Sequence, residues 1–138
     1  MNTKDIPNYI LVVALAGALF SGWLTFSKLV LGNCPLREAC AYLLGLPTCV
    51  YGFVLFGAIL VLALLLKMDA KKYPQNMLWI NRVALFGILF SGYYSIVEIL
   101  FPSCPLQPCI YSLILPSCVY GLVMYVLVWV LSNNAMKK

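Results

Sequence analysis

The sequence predicts an all-α membrane protein: a polytopic four-helix bundle built from two parallel helical-hairpin repeats with pseudo-two-fold symmetry. Two observations carry this prediction. First, 64% of the 138 residues are apolar and only 9% are charged, whereas an ordinary soluble domain carries about 25% charged residues. Second, residues 14–62 and 84–131 are similar along their whole length, which indicates an internal duplication. The whole chain, 1–138, is interpreted as a single membrane domain.

Four apolar stretches are long enough, at about 20 residues, to cross the hydrocarbon core of a bilayer. They lie at about 9–31, 48–66, 77–101 and 117–131. The first is expected to remain in the protein, because it continues into the repeat without a small-residue cleavage site. Each repeat contains two spans, so both copies have the same orientation. The predicted organisation is repeat one at 8–67, a cytoplasmic linker at 68–76 and repeat two at 77–132.

Basic residues predict the orientation, because lysine and arginine accumulate in short loops on the cytoplasmic side. They cluster near the two ends and around the linker: Lys4, Lys67, Lys71, Lys72, Arg82, Lys137 and Lys138. We therefore expect both termini to be cytoplasmic, in a plasma (inner) membrane, with the lipid bilayer around the spans and the cysteine loops outside. An oxidising exterior permits disulfides in those loops. These topology signals also explain the net charge of +5, and no basic and aromatic patch indicates nucleic-acid binding.

Two short outer segments, 36–46 and 106–115, are too apolar for free loops and too short to cross the membrane. We expect each to form a short interfacial helix or a segment folded over the mouth of the bundle. In the linker, Pro74 is expected to help stop the second helix. Matching small residues in the first and third spans are expected to let helices approach closely; they are Gly17, Ser21, Gly22, Gly87, Ser91 and Gly92.

Each repeat contains three cysteines, and the third lies in a repeated heptapeptide. Leu-Pro-Thr-Cys-Val-Tyr-Gly at 46–52 matches Leu-Pro-Ser-Cys-Val-Tyr-Gly at 115–121. The pattern indicates a helix start, with Thr48 or Ser117 as the N-cap and Cys49 or Cys118 in the first turn. The unpaired amides and the helix dipole at this end favour a thiolate over a thiol, which makes the cysteine a better attacking or leaving group. Cys49 and Cys118 are the predicted reactive pair.

Three cysteines per repeat cannot all pair within their own copy, so a fully oxidised chain needs at least one bond between the copies. One symmetric scheme joins Cys49 to Cys118, Cys34 to Cys40 and Cys104 to Cys109. Another joins Cys40 to Cys49, Cys109 to Cys118 and Cys34 to Cys104. Six cysteines allow 15 connectivities, and spacing does not choose among them. The alternative to redox chemistry is that all three bonds are inert staples of the outer loops.

Lys28 and Glu98 occupy equivalent positions near the outer ends of the first and third spans. A charged residue at that depth is unfavourable unless it snorkels, pairs or takes part in function. A Lys28–Glu98 ion pair is one hypothesis, and separate contacts with the headgroup region are the other.

Aromatic residues are frequent near the outer surface, and Tyr51, Tyr120, Trp23 and Tyr93 are the candidates for a cofactor site. An apolar, aromatic pocket beneath the cysteine loops would hold a quinone ring, with a tyrosine hydroxyl bonded to a ring carbonyl. The alternative is an interfacial aromatic belt or packing within the bundle. The absence of histidine excludes imidazole acid–base catalysis and most zinc sites. A thiolate metal site is disfavoured because C-x-x-C spacing is missing, so no metal ligands are assigned.

The first helical hairpin resembles that of the vitamin K epoxide reductase family, four-helix membrane thiol oxidoreductases related in fold to the DsbB type of quinone-linked disulfide generator. The residues that carry the resemblance are Gly17, Ser21, Leu24, Thr25, Lys28, Cys34 and Cys40, and it covers about the first 65 residues. It implies an outer-loop cysteine pair that relays electrons to a C-x-x-C pair beside quinone at the outer end of the fourth helix. This chain departs from that pattern, because glycine stands three residues after Cys118. The active disulfide of such a duplicated-hairpin relative would have to form differently, for example between Cys118 and Cys49.

The function that these patterns and the resemblance predict is a membrane thiol–disulfide oxidoreductase that couples cysteine chemistry on the outer face to a membrane quinone, ubiquinone or menaquinone. In this hypothesis the loop cysteines exchange with substrate thiols, while Cys49 and Cys118 pass electrons to the quinone. The expected partners are secreted or periplasmic thiol substrates or a thioredoxin-like protein. The alternative is a non-catalytic membrane subunit or scaffold whose outer loops are stapled by structural disulfides. A transporter or metal-handling role is disfavoured by the scarcity of polar residues along the spans.

Overall fold

The structure is a computed structural model, and it describes residues 5–30, 42–68, 72–100 and 117–137. In these ranges the chain is helical apart from one short hairpin. The helices are α1 (Ile6–Val30), α2 (Thr48–Met68), α3 (Tyr73–Leu100) and α4 (Ser117–Met136). Each is long and apolar enough to cross a bilayer. The prediction of four apolar spans is confirmed, and the chain is an integral membrane protein.

The helices pack side by side, and the contacts between α1 and α2 and between α3 and α4 are the most extensive. α2 also packs on α3, and α4 packs on α1, so the contacts close a ring. Buried side chains recur every three or four residues along one face of α1; they are Ile6, Ile10, Ala14, Gly17, Ala18, Ser21, Leu24 and Ser27. Large apolar side chains such as Leu19 and Phe26 are exposed on α1, which suits a helix surrounded by lipid tails that are as apolar as leucine.

Two glycines face aromatic rings inside the bundle. The buried rings of Phe56 on α2 and Tyr125 on α4 stack, with centroids 4.2 Å apart and an interplanar angle of 10°. A Cβ at Gly17 would come within 2.5 Å of the Phe56 ring, and a Cβ at Gly87 within 2.5 Å of the Tyr125 ring. Carbon atoms pack best at about 3.5–4.0 Å, so a larger residue requires a shift. The prediction that small residues permit close approach is confirmed at these two positions.

The described part of the segment before α2 is a hairpin and not a short helix, which was one of the two expectations for 36–46. β1 (Tyr42–Leu43) pairs antiparallel with β2 (Leu46–Pro47), and φ is positive at both residues between them, 53° at Leu44 and 83° at Gly45. This is the type I′ geometry that joins two strands through a two-residue loop. Gly45 tolerates it because it has no Cβ. The remainder of that segment and all of 106–115 lie outside the described residues.

The connection between α2 and α3 is shorter than the predicted linker at 68–76. α2 ends at Met68 and α3 begins at Tyr73, so Pro74 lies in the first turn of α3 instead of stopping α2. Proline is favoured at a helix start because a first-turn amide has no intrahelical partner and the proline φ is already helical. The same residue that cannot continue one helix therefore begins the next.

A polar contact joins α3 to α4 in the half of the bundle nearer the linker. Nδ2 of Asn81 donates a hydrogen bond to Oγ of Ser132 at 2.9 Å, and Oγ of Ser132 donates to the carbonyl of Trp129 at 2.9 Å. Ser132 is fully buried. Because an unpaired polar group is unfavourable in apolar surroundings, this pair stabilises the contact between the two helices.

Candidate active site

A small cavity lies between the first turns of α2 and α4 and the adjoining parts of α1 and α3. Its volume is about 50 Å³. All four helices line it, through Phe20, Ser21, Leu24, Thr48, Cys49, Gly52, Phe56, Phe90, Ser91, Ser117, Cys118, Gly121 and Tyr125. Both predicted reactive cysteines are therefore walls of one cavity, which we call the cysteine cavity.

Most of the cavity wall is contributed twice, once by each repeat. The sequence offset of 70 or 69 relates Phe20 to Phe90, Ser21 to Ser91, Thr48 to Ser117, Cys49 to Cys118, Gly52 to Gly121 and Phe56 to Tyr125. Leu24 is the exception, because Tyr94, its equivalent, does not line the cavity. Equivalent residues of the two copies thus converge on the same small volume.

Helix starts position the two thiols. α2 begins at Thr48 and α4 at Ser117, so Cys49 and Cys118 are each the second residue of a helix. This confirms the prediction that both cysteines lie in a first turn, where exposed amides and the helix dipole favour an anion. The described part of the chain contains no disulfide, and Cys49 and Cys118 are not joined to each other. The bond between the copies therefore stays a prediction.

A cation lies beside one of the thiols. Nζ of Lys28 on α1 is 3.3 Å from Sγ of Cys49 on α2, and the contact is partly buried. An ammonium at this distance stabilises a thiolate, because the Coulomb interaction is strong where water is scarce. The side chain of Glu98, which sequence reasoning considered as a partner of Lys28, lies outside the described atoms.

Repeat two carries no equivalent cation of its own. The residue equivalent to Lys28 is Glu98, and the sequence has no lysine or arginine between Arg82 and Lys137. Cys49 and Cys118 are therefore matched in position but differ in the charges that their own repeats supply.

Hydroxyl groups around the cavity are bonded to the backbone. Oγ of Ser21 donates to the carbonyl of Gly17 at 2.7 Å, and Oγ of Ser91 donates to the carbonyl of Gly87. The hydroxyl of Tyr125 donates to the carbonyl of Gly52 at 3.2 Å, which ties α4 to α2. These bonds engage polar groups that would otherwise face the cavity, so its surface is mainly apolar.

The four predicted quinone ligands do not line the cysteine cavity. Trp23 and Tyr93 are equivalent in the repeat and are 53% and 63% exposed, which favours the alternative of an interfacial belt. Tyr51 and Tyr120 instead pack against aromatic residues that line the cavity. The ring centroids of Tyr51 and Phe90 are 5.8 Å apart, and those of Tyr120 and Phe20 are 6.3 Å apart. The Tyr51 hydroxyl donates to the carbonyl of Leu43 at 3.0 Å and so holds the hairpin against α2.

Sequence reasoning missed the aromatic side chains that do form the wall: Phe20, Phe56, Phe90 and Tyr125. A signal for them exists, because each is an aromatic residue matched by an aromatic residue at the repeat offset. The contact between Lys28 and Cys49 had no such signal. Cys34, Cys40, Cys104 and Cys109 lie outside the described residues, so their pairing and their distance from the cavity stay predictions.

The residues and the size of the cavity limit which groups can bind there. Among the described residues, no three histidine, cysteine, aspartate or glutamate side chains cluster in a way that could hold a metal ion. The cavity of about 50 Å³ is smaller than the roughly 150 Å³ that accommodates benzene in a protein interior. A quinone ring therefore does not fit the cavity as it stands and requires a wall side chain to move. Phe20 and Phe90 are the half-buried aromatic residues of the wall, and the Phe90 ring packs on those of Tyr51 and Tyr94.

Comparison with protein-family models and with curated proteins finds no match to this chain. The resemblance to vitamin K epoxide reductases therefore rests on the residues quoted for it. Of these, Ser21 and Leu24 line the cysteine cavity and Lys28 contacts Cys49.

Proposed function

We propose that this protein is a membrane thiol–disulfide oxidoreductase in which Cys49 and Cys118 form a redox pair coupled to a membrane quinone. The observation that carries the proposal is the convergence of both thiols on one apolar cavity, with the Lys28 ammonium 3.3 Å from Cys49. Inert structural cysteines need no neighbouring cation, whereas a thiol that attacks or leaves is activated by one.

We further propose the membrane arrangement that the sequence predicts. The two hairpins are parallel repeats about a pseudo-two-fold axis, both termini are cytoplasmic, and the cysteine loops face the oxidising side. The repeat-related pairs in the cavity wall support this axis, since equivalent residues of two copies meet where the axis passes. The basic residues around the linker and at the C-terminus support the orientation.

The proposed reaction couples two exchanges of electrons. Oxidation of the pair joins Sγ of Cys49 to Sγ of Cys118 and releases two electrons and two protons. A dithiol of an outer loop then reduces this bond in two steps of exchange, so that the loop gains the disulfide and its two protons pass to Cys49 and Cys118. The oxidised loop, Cys34 with Cys40 or Cys104 with Cys109, accepts electrons from a substrate dithiol in the same way.

A quinone, when bound, accepts the two electrons and two protons and becomes a quinol. The residues that would hold its ring are the apolar walls nearest the thiols, above all Phe20 and Phe90, which lie on α1 and α3 and retain partial exposure. The chemistry of this wall suits a planar apolar ring. The thiols, held in the first turns of α2 and α4, stay fixed while these side chains move.

The decisive experiment follows the redox state of each cysteine in the reduced, full-length protein after reconstitution in nanodiscs. Addition of ubiquinone or menaquinone is expected to produce quinol in an amount equal to all disulfides formed. A disulfide between Cys49 and Cys118 should be among them, detected by peptide mass spectrometry after alkylation, once the loop dithiols have been oxidised through it. Cys49→Ser and Cys118→Ser should each abolish quinol formation, whereas Trp23→Phe, which changes a lipid-exposed side chain, should not.

One result would contradict the proposal directly: single serine variants of Cys49 and Cys118 that reduce quinone as fast as the wild type. Cysteines that resist mild reductant and ignore quinone would instead favour the scaffold function, in which disulfides only lock the outer loops. Formation of the bond also requires the two Cα atoms to come within about 7 Å. Treatment of the reduced protein with a mild oxidant tests this, because only thiols that reach such a distance form the disulfide.

A further inference from the structure

A second concave surface lies on the opposite half of the bundle, between α2 and α3. It is an open groove of about 700 Å³. The α2 side is lined by Gly57, Ala58, Val61, Leu62 and Leu65, and the α3 side by Gln75, Asn76 and Trp79 together with Lys72, which directly precedes α3. None of these residues belongs to the cysteine cavity. We call this surface the linker groove. Its volume falls within the range of about 300–1,000 Å³ that is usual for ligand sites.

The α2 wall of the groove lies within one lipid leaflet. It runs from Gly57 to Leu65, which is about 12 Å along the helix, and α2 ends at Met68. Half of a hydrocarbon core of about 30 Å is about 15 Å. The groove therefore runs from near the middle of the membrane to the headgroup region on the linker side, apolar along its length and polar at its end.

Small residues open the groove in one repeat only. Gly57 and Ala58 are equivalent to Val126 and Leu127 of α4, so the second copy has bulky side chains at the same two positions. A Cβ at Gly57 would meet no atom within 4 Å, which means that glycine is not required there by helix packing. The small size of Gly57 and Ala58 leaves space at the end of the groove near the middle of the membrane.

Hydrogen-bond donors occupy the end of the groove next to the linker. Asn76 is nine-tenths buried, and within the part of the chain that the structure describes no hydrogen bond involves its side chain. Among the described residues, the fully enclosed polar atoms that lack a partner are Oγ1 of Thr25 and Oγ of Ser95. The Asn76 amide is not one of them, so it reaches the surface of the groove, where its two N–H groups can donate to a ligand. Lys72 adds an exposed ammonium beside it, and the guanidinium of Arg82 lies 5.9 Å from the ring centroid of Trp79 on the α3 wall.

We propose that the linker groove binds an anionic glycerophospholipid from the leaflet on the linker side. One acyl chain lies along α2 as far as Gly57 and Ala58. The phosphate accepts a hydrogen bond from the side-chain amide of Asn76 and is attracted by the ammonium of Lys72. The combination of an apolar channel and cationic or amide donors matches the two halves of such a lipid. None of the described residues that line the groove is acidic, so this part of the wall carries no charge that opposes a negative headgroup.

Native mass spectrometry of the delipidated, full-length protein tests the proposal. Phosphatidylglycerol and phosphatidylcholine with identical acyl chains are added separately, and one phosphatidylglycerol is expected to remain bound at activation energies that remove phosphatidylcholine. Lys72→Gln should weaken phosphatidylglycerol binding about fivefold, the effect of one basic residue near a membrane surface. Gly57→Val with Ala58→Leu, which copies repeat two, should abolish retention of both lipids.

Lys137→Gln is the matched control, because it removes one exposed basic residue outside the groove and should leave binding unchanged. The proposal is overturned if the two lipids are retained equally. It is also overturned if the Gly57→Val and Ala58→Leu pair leaves retention unchanged, because the bound lipid then lies on another surface. Helical content measured by circular dichroism verifies that each variant folds. The outcome is independent of the thiol chemistry, since no cysteine lines the groove.

Discussion

Replacing Lys28 by methionine is expected to lower the reactivity of Cys49 more than that of Cys118. Nζ of Lys28 lies 3.3 Å from Sγ of Cys49. With an effective dielectric constant of 20, a full thiolate–ammonium interaction at this distance is worth about 5 kcal/mol. Headgroup water and the mobility of the lysine reduce this value. Even less than a third of it, about 1.4 kcal/mol, changes the thiolate population about tenfold.

The change in reaction rate is smaller than the change in population. A thiolate stabilised by a cation is also a weaker nucleophile, and a tenfold gain in its population is offset by about a threefold loss in its intrinsic reactivity. Lys28→Met should therefore slow alkylation of Cys49 at least about threefold at neutral pH. Met is close to Lys in length and apolar, so the packing of the aliphatic part is retained.

The assay is brief alkylation of the reduced protein with iodoacetamide, followed by peptide mass spectrometry, with Cys118 of the same molecule as the internal reference. Lys28→Arg preserves the positive charge and should keep most of the reactivity of Cys49. The reasoning fails if the ratio of the Cys49 to the Cys118 rate is unchanged in Lys28→Met, or if Lys28→Arg lowers it as much as methionine does.

Three further predictions concern the packing that supports the cysteine cavity, and thermal unfolding in detergent measures each of them. Gly87→Ala should destabilise the protein by about 1–3 kcal/mol, since its Cβ would come within 2.5 Å of the Tyr125 ring. Gly121→Ala should be neutral, because its Cβ meets no atom within 4 Å, and equal effects of the two substitutions would contradict the packing argument. Tyr125→Phe should lose about 1 kcal/mol with the hydrogen bond to α2, while Tyr9→Phe, an exposed tyrosine, should lose none. Asn81→Leu should cost about 1 kcal/mol by leaving the buried hydroxyl of Ser132 without its donor, and additive effects of Asn81→Leu and Ser132→Ala would refute their coupling.

The cysteine pair could be predicted from sequence because its signals are local. A proline followed by a hydroxyl residue and a cysteine marks a helix start, and the repeat supplies the same pattern a second time. The structure confirms both helix starts and brings Cys49 and Cys118 to one cavity. The short hairpin at Tyr42–Pro47 was less accessible to prediction, because its turn has leucine rather than asparagine or aspartate at a position with positive φ.

The aromatic wall was harder to assign because neighbouring helical residues point in directions about 100° apart. Trp23 and Leu24 are adjacent in sequence, yet Trp23 is half exposed and Leu24 is 2% exposed and lines the cavity. In a soluble protein the polar face of a helix would reveal this rotation. Here both faces of α1 are apolar, so hydrophobic periodicity carries little information about which one is buried.

Composition and periodicity of the sequence by themselves determined the four spans and the duplicated unit of three cysteines, because span length and repetition are properties of consecutive residues. They also determined that Cys49 and Cys118 begin helices, since capping depends on the residues next to them. Only the tertiary structure decided that Lys28 meets Cys49, that Phe56 stacks on Tyr125, and that Gly57 and Ala58 open a groove toward Asn76. These contacts join different helices, and the rotation and approach of each helix are set by packing of the whole bundle.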